Sequence, residues 1–200
     1  MKKFFYLFLI GGLMLSSCEL EENEDGGGTT GGGGNNNNNN EGLVESFNVS
    51  LNYNSESFSA LSAFDADDLT TVGANNSAAD VCLGWQGQYG YFITSPNGSL
   101  IKECYNYNNL TLTNSNSTTV ANLGQVSLSN YDDANELKSL SITSGKIPNI
   151  AGSNQVQVSS GDVIAFQKGN IKGVGKVTGL SKAKKSITFT GYVYNPSAAK

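Results

Sequence analysis

Phe47, Val49, Leu51 and Tyr53 alternate with Asn48, Ser50 and Asn52, and near the other end Ile187, Phe189 and Val193 alternate with Thr188, Thr190, Tyr192 and Tyr194. A side-chain period of two sorts apolar and polar residues onto opposite faces of a strand, a pattern that no helix can satisfy. Between these ends, Val81 to Trp85 and Tyr89 to Thr94 flank Gln86-Gly87-Gln88 and predict a hairpin. Ser95-Pro96-Asn97-Gly98 predicts a turn, since proline presets one dihedral and Asn-Gly accepts positive φ. Leu110 to Thr113, Val120 to Leu123 and Val126 to Leu128 are weaker strand candidates. Val156 and Val158 precede a turn at Ser159-Ser160-Gly161. Asp162 to Lys168, the tight pair Gly169-Asn170, Ile171 to Leu180, a lysine-rich turn and the Ile187 strand then predict a three-stranded meander. Asp132 to Leu140 is the helix-like stretch, with Asp132, Asp133 and Glu136 early and Lys138 late, as the helix dipole prefers. With 24 glycines, 38% apolar and 14% charged residues, the expected fold is all-β: a single antiparallel β-sandwich, or a barrel-like relative, over residues 43–200.

The preceding residues read differently. Lys2 and Lys3 introduce an apolar run from Phe4 to Leu15, followed by Ser16, Ser17 and Cys18. This is the order of a secretory signal over residues 1–17. A helix of about 12 residues reaches only ~18 Å, short of a ~30 Å hydrocarbon core. Residues 18–42 hold a single large apolar side chain, Leu20, and six acids. Such a segment cannot offset the entropy of ordering and is expected to be a disordered tether with a reach of roughly 25–30 Å.

Several chemistries are excluded by residue type. The chain has no histidine and no arginine, so Ser-His-Asp and Cys-His sets, histidine-ligated metals and guanidinium grips on phosphate cannot be built. A formal charge of −5 argues against nucleic acid as a partner. No cofactor and no metal site is expected, and the chain is read as not an enzyme. Asp65, Asp67 and Asp68, with Asp80, would be a calcium candidate, but Thr70 and Asn76 stand where an EF-hand loop needs glycine and glutamate, and a solvated acidic turn is the better reading. Gly173-x-Gly175 lacks the third glycine and the following helix of a phosphate loop. Ser99-x-x-Lys102 and Ser181-x-x-Lys184 lack the companion motifs of penicillin-recognising enzymes. A carboxylate pair from Asp65, Asp80 and Glu103 has no readable spacing.

Cys82 and Cys104 either close a disulfide loop of about 22 residues, worth roughly 3 kcal/mol, or are two buried apolar thiols. The aromatic group Trp85, Tyr89, Tyr91, Tyr105 and Tyr107 offers flat rings with polar tips for a glycan or other ligand, against the alternative of core and cross-strand packing. Charge is unevenly shared. Residues 43–137 carry one lysine and ten acids, whereas residues 138–200 carry nine lysines and one acid. That split either joins two halves across one sandwich or leaves the domain with a basic end for anionic partners.

Three resemblances add to this reading. Leu15-Ser16-Ser17-Cys18 resembles the bacterial lipobox, which implies cleavage before Cys18, its acylation, and membrane attachment through that lipid anchor. The acids Glu19, Glu21, Glu22, Glu24 and Asp25 resemble the export signal of Bacteroidota surface lipoproteins. That implies an outer-membrane protein on the cell surface, the periplasmic face being the alternative. Gly161-Asp162-Val163-Ile164-Ala165-Phe166, Gly173-Val174-Gly175-Lys176-Val177 and Ser186-Ile187-Thr188-Phe189 are similar to the C-terminal ending of a Bacteroidota lipoprotein family with no assigned activity. Ala63-Phe64-Asp65, Ala78-Ala79-Asp80-Val81, Tyr91-Phe92 and Ser95-Pro96-Asn97-Gly98 are similar to its N-terminal half. Gly169-Asn170-Ile171, Cys82 and Cys104 depart from it. The resemblance implies a β-sandwich surface lipoprotein with a structural or protein-interaction role. A glycan-binding accessory lipoprotein using Trp85 and its neighbouring tyrosines is the alternative.

Overall fold

A computed structural model describes residues 43–53, 62–106, 111–181 and 183–198. All of them fall in the compact unit Asn38–Lys200; the signal, Cys18 and the tether assigned to 18–42 lie outside the described residues. Two five-stranded antiparallel sheets face each other as a β-sandwich. The first runs in the order β1 (Leu43–Asn52), β10 (Ser186–Asn195), β9 (Ile171–Ser181), β8 (Val163–Lys168), β6 (Thr119–Gly124). The second runs β3 (Thr70–Gly73), β2 (Ser62–Asp65), β4 (Val81–Gln86), β5 (Gly90–Thr94), β7 (Gln155–Gln157).

Alternation explains the layers. In register, Phe47 opposes Gly191, Val49 opposes Phe189 and Leu51 opposes Ile187, so the apolar rows of β1 and β10 share the inner face. The Phe47 ring lies 4.5 Å from Phe64 of the opposite sheet and 5.2 Å from Phe189, and Phe64 meets Phe166 edge-on at 5.7 Å. These rings lock the two sheets together at distances favoured by aromatic quadrupoles. Glycine makes the interlock possible: a Cβ on Gly173 would lie 2.2 Å from the nearest Phe166 ring atom, and one on Gly175 2.3 Å from the nearest Phe189 ring atom. Gly173-x-Gly175 is therefore packing space within β9, as glycine inside a strand often is.

Each sheet also buries part of its outer face under a short helix. Leu137 of α2 (Ala134–Ser139) packs with Val163, Ala165, Val174 and Tyr194. Asp133 caps α2 by accepting from the Asn135 N–H at 2.7 Å, and Glu136 and Lys138 sit at the ends that the dipole favours. On the second sheet lies α1 (Ser99–Asn106), which buries Leu100, Ile101, Cys104 and Tyr105. The sequence reading did not expect this helix. The Ser95–Gly98 turn, closed by Gly98 N–H to the Ser95 carbonyl at 2.9 Å, leads into it. Its Leu100 N–H is capped by the fully buried Gln155 side chain at 3.1 Å.

Other strand expectations need correction. Val126–Leu128 is not a strand; Ser127 leads into a 3-10 turn at Leu128–Tyr131. Leu110 lies outside the described residues, and 111–113 join no ladder. The Asn75 side chain holds that segment instead, accepting from the Thr113 N–H at 2.7 Å. β2 and β3, four residues each, had not been anticipated. Along one side Gly145 bridges the sheet edges: its N–H donates to the Val120 carbonyl at 2.7 Å, and its carbonyl accepts from Gln155 N–H at 3.3 Å.

Candidate functional site

Trp85, Tyr89 and Tyr91 lie around the turn from β4 to β5 and Tyr105 lies on α1, and these aromatic candidates divide in role. Trp85 and Tyr91 are cross-strand partners. Tyr91 is buried, and its hydroxyl crosses to the first sheet to donate to the Ser181 carbonyl at 3.0 Å. Tyr105 is buried beneath α1, where desolvation pushes its phenol up to about 12. Trp85 and Tyr89 are half-buried. The Trp85 ring lies 6.2 Å from Tyr53, and the Lys185 ammonium stands 5.5 Å from its centroid, a cation–π contact. Tyr89 offers its carbonyl to Gln157 Nε2 at 2.8 Å. Tyr107 lies outside the described residues. Cross-strand packing thus accounts for Tyr91 and core packing for Tyr105, while Trp85 and Tyr89 retain partly accessible rings.

Of the two alternatives for Cys82 and Cys104, the structure has both as buried thiols. Cys104 Sγ lies 3.9 Å from the Trp85 carbonyl oxygen, three residues along β4 from Cys82. Burial, helped by the Asp80 charge, holds the Cys82 thiol far above its ordinary range, and burial beside Glu103 pushes Cys104 up to about 11. Thiols so protonated are poor nucleophiles.

Asp67 and Asp68 sit exposed in a turn, as expected, while Asp65 and Asp80 are buried, and with Asp67 they form an ionic cluster. Asp65 Oδ1 accepts from the Asp67 and Asp68 N–H groups at 3.0 and 3.4 Å, which shapes the β2–β3 turn. The carboxylates of Asp65, Asp67 and Asp80 have oxygens within 4.8 Å of one another. Lys168 Nζ enters this group 2.7 Å from Asp67 Oδ2 and 2.8 Å from Asp80 Oδ1. Asp80 is wholly buried, and its Oδ2 accepts from the Ala66 N–H at 3.0 Å. Its Oδ1 makes an ionic contact with Lys168 that is off the line of a hydrogen bond. The lysine ammonium thus supplies the cation that the carboxylates need, and it joins the basic part of the chain to the acidic part across the sandwich. Glu103, the third carboxylate of the hydrolase candidate, is exposed on α1.

The serine–lysine candidates are engaged with backbone. Ser99 Oγ donates to the Ala151 carbonyl at the start of α1, and Ser181 Oγ accepts from the Lys184 N–H at 3.2 Å. Asparagine does unexpected structural work. Buried Asn114 Nδ2 reaches the carbonyls of Asn76 at 2.6 Å and Ala79 at 3.2 Å, and Asn116 Nδ2 reaches Ser77 at 2.6 Å and Ala79 at 2.9 Å. These amides hold the extended 111–118 segment against the 74–79 loop. Asn114→Ala is expected to lower stability by about 2 kcal/mol, because it strands buried carbonyls. A urea titration with an unchanged slope would establish this, and a loss below ~0.5 kcal/mol would contradict it.

The surface of the described residues includes two open depressions. A groove of about 330 Å³ follows the Gly145 seam and includes Asn122, Lys146 and Gln157 in its lining. A pocket of about 270 Å³ lies on the outer face of the first sheet beside the end of α2. Among the described residues no helix is long and apolar enough to cross a membrane. Comparison with protein-family models, with curated proteins and with solved structures yields no match to this chain.

Proposed function

We propose that this chain is a lipid-anchored lipoprotein of the outer membrane, displayed on the cell surface through Cys18, whose β-sandwich is a non-catalytic module with a structural or protein-interaction role. The carrying observation is the succession Lys2-Lys3, Phe4 to Leu15, Ser16-Ser17-Cys18 ahead of a chain that folds into a sandwich with its own core. The resemblance to Bacteroidota surface lipoproteins supports the same reading. The polar groups that invite catalytic readings are tied into the fold: Lys168 to two aspartates, Ser99 to a carbonyl, both cysteines to the interior. Residues 18–42 would then act as the spacer that their composition predicts.

Metabolic labelling with a palmitate analogue tests the anchor. The wild-type chain is expected to take up label and fractionate with outer membranes, and Cys18→Ala to lose both. A Cys18→Ala chain that is still labelled would sink the reading. Protease treatment of intact cells tests the location: digestion of the sandwich supports display, and protection assigns it to the periplasmic face.

Glycan binding is the second reading, favoured by the half-buried Trp85 ring. It requires a saturable glycan titration that Trp85→Ala abolishes.

A further inference from the structure

The pocket beside α2 is built on one rung of the first sheet. Gln167, Lys172 and Tyr194 are successive register partners across β8, β9 and β10, and Val44 of β1 follows Tyr194. Lys138 from the last turn of α2, Asn170 from the β8–β9 turn and Pro196 beyond β10 complete the lining. The volume suits a small ligand and is too small for an oligosaccharide.

Its electrostatics are one-sided. Lys172 Nζ donates to the carbonyls of Lys138 at 2.6 Å and Leu140 at 2.8 Å, which fixes the ammonium at the wall and leaves one of its three N–H donors. Lys138 Nζ stands 5.1 Å from the Tyr194 ring centroid, a contact that uses none of its N–H groups in a conventional hydrogen bond. Among the described residues, no carboxylate lines the pocket. The contrast with Lys168, four residues before Lys172, is direct: that ammonium is matched by two aspartates. Two positive charges held near one cavity, with no carboxylate among its described lining residues, favour an anion. Lysine binds as a point charge and suits the tetrahedral, multiply charged phosphate group. Tyr194 and Pro196 give the pocket an apolar side, against which the carbon skeleton of a phosphate ester can lie.

We propose that the pocket formed by Lys138, Lys172 and Tyr194 binds a phosphate-class anion, carried either by a soluble phosphate ester or by a lipid headgroup. The proposal does not depend on the lipid anchor, and its test is chosen accordingly. The full chain carrying Cys18→Ser, which has no site for acylation, is titrated at low salt with inorganic phosphate and with glycerol phosphate, and followed by NMR. Saturable binding with a Kd of about 1 mM is expected. Lys138→Gln, which leaves the Lys172 contacts in place, should weaken it about tenfold, as should Lys172→Gln. Lys184→Gln, in the β9–β10 turn at the far end of the sheet, removes the same charge and should change nothing. Equal weakening by Lys184→Gln, or binding that never saturates, would reduce the effect to non-specific screening and overturn the proposal. Sedimentation with vesicles of phosphatidylcholine alone or mixed with phosphatidylglycerol separates the sources. Binding to the mixed vesicles that Lys138→Gln removes identifies a headgroup, and phosphate binding without vesicle binding identifies a soluble ester. Thermal melts of each variant guard against misfolding, and failure of a normally folded wild-type chain to bind any of these probes overturns the site.

Discussion

A single methyl group at position 175 is expected to remove about 3 kcal/mol from the stability of the sandwich. Gly175 lies on the inner face of β9, opposite Gly191 of β10 and Ile164 of β8, with the Phe189 ring laid over its Cα. The Cβ of an alanine would occupy the place of ring atoms. Phe189 cannot move aside easily, because it is fully buried and packs 5.2 Å from Phe47 and 6.2 Å from Phe64. Interiors this dense answer an extra methyl with backbone shifts and strained rotamers. Gly73 is the control, since open space surrounds its Cα and alanine there should stay within about 0.5 kcal/mol of wild type. Phe189→Ala alone should cost about 4 kcal/mol through lost burial and a cavity. The two costs should not add: with the ring gone, a methyl at 175 has somewhere to go, and the double variant should fall short of the sum by at least about 1 kcal/mol. Urea midpoints at constant slope provide the measurement, and simple additivity would show that the ring and the glycine are not coupled.

Removing Lys168 is the second large effect. Lys168→Met is expected to cost about 3 kcal/mol at neutral pH, since it leaves the buried Asp80 carboxylate without its cation. The pair is lopsided. Burial raises Asp80 above its ordinary 3.8, more than Lys168 and the Ala66 N–H lower it, with Asp67 adding to the rise. Burial would lower Lys168, but Asp67 and Asp80 outweigh it and hold the ammonium above 10.5. Each group therefore has a higher pKa folded than unfolded. The Asp80 contribution to stability is fully present below 3.8 and is lost as pH rises through its folded value. The Lys168 contribution is present below 10.5 and is lost as pH climbs through its own folded value. In Lys168→Met, protonation of Asp80 neutralises the stranded charge, so the penalty should shrink as pH is lowered towards about 4. Asp80→Asn placed on Lys168→Met should recover part of the loss at neutral pH. A penalty below about 0.5 kcal/mol that does not vary with pH would mean that the contact behaves as an exposed surface pair.

Both effects rest on long-range contacts, and that separates what the sequence reveals from what it conceals. Alternation in β1 and β10, the β4–β5 hairpin and the Gly169-Asn170 turn are written in neighbouring residues, and the structure has them where the pattern puts them. The α1 helix is too short for a periodic signal to rise above its surroundings, and the Gln155 amide that caps it comes from 55 residues away. β2 and β3 are too brief for alternation to register. In the candidate site, Asp65 announces its turn locally, but the cation that closes the cluster lies 101 residues from Asp67. Only the charge split between the two parts of the chain hinted at such a bridge. Trp85 and Tyr91 read alike in sequence, yet a hydroxyl bond to Ser181 draws one into the interior and leaves the other half-covered.

The pairing of β1 with β10 bears on how the domain would carry mechanical load. Ten residue pairs run without interruption from Leu43–Asn195 to Asn52–Ser186. The chain enters at Leu43, whereas the β9–β10 turn lies at the opposite end of the sheet. If tension enters through Leu43 and is resisted at that far end, it pulls β1 along its own axis against β10. The ladder is then loaded in shear, with its hydrogen bonds strained together rather than opened one after another. Forced unfolding is governed by the height of the unfolding barrier, and this loading direction sets that barrier by the whole β1–β10 ladder at once. A domain anchored on that side would therefore resist a pull on its outer end more strongly than its equilibrium stability alone implies.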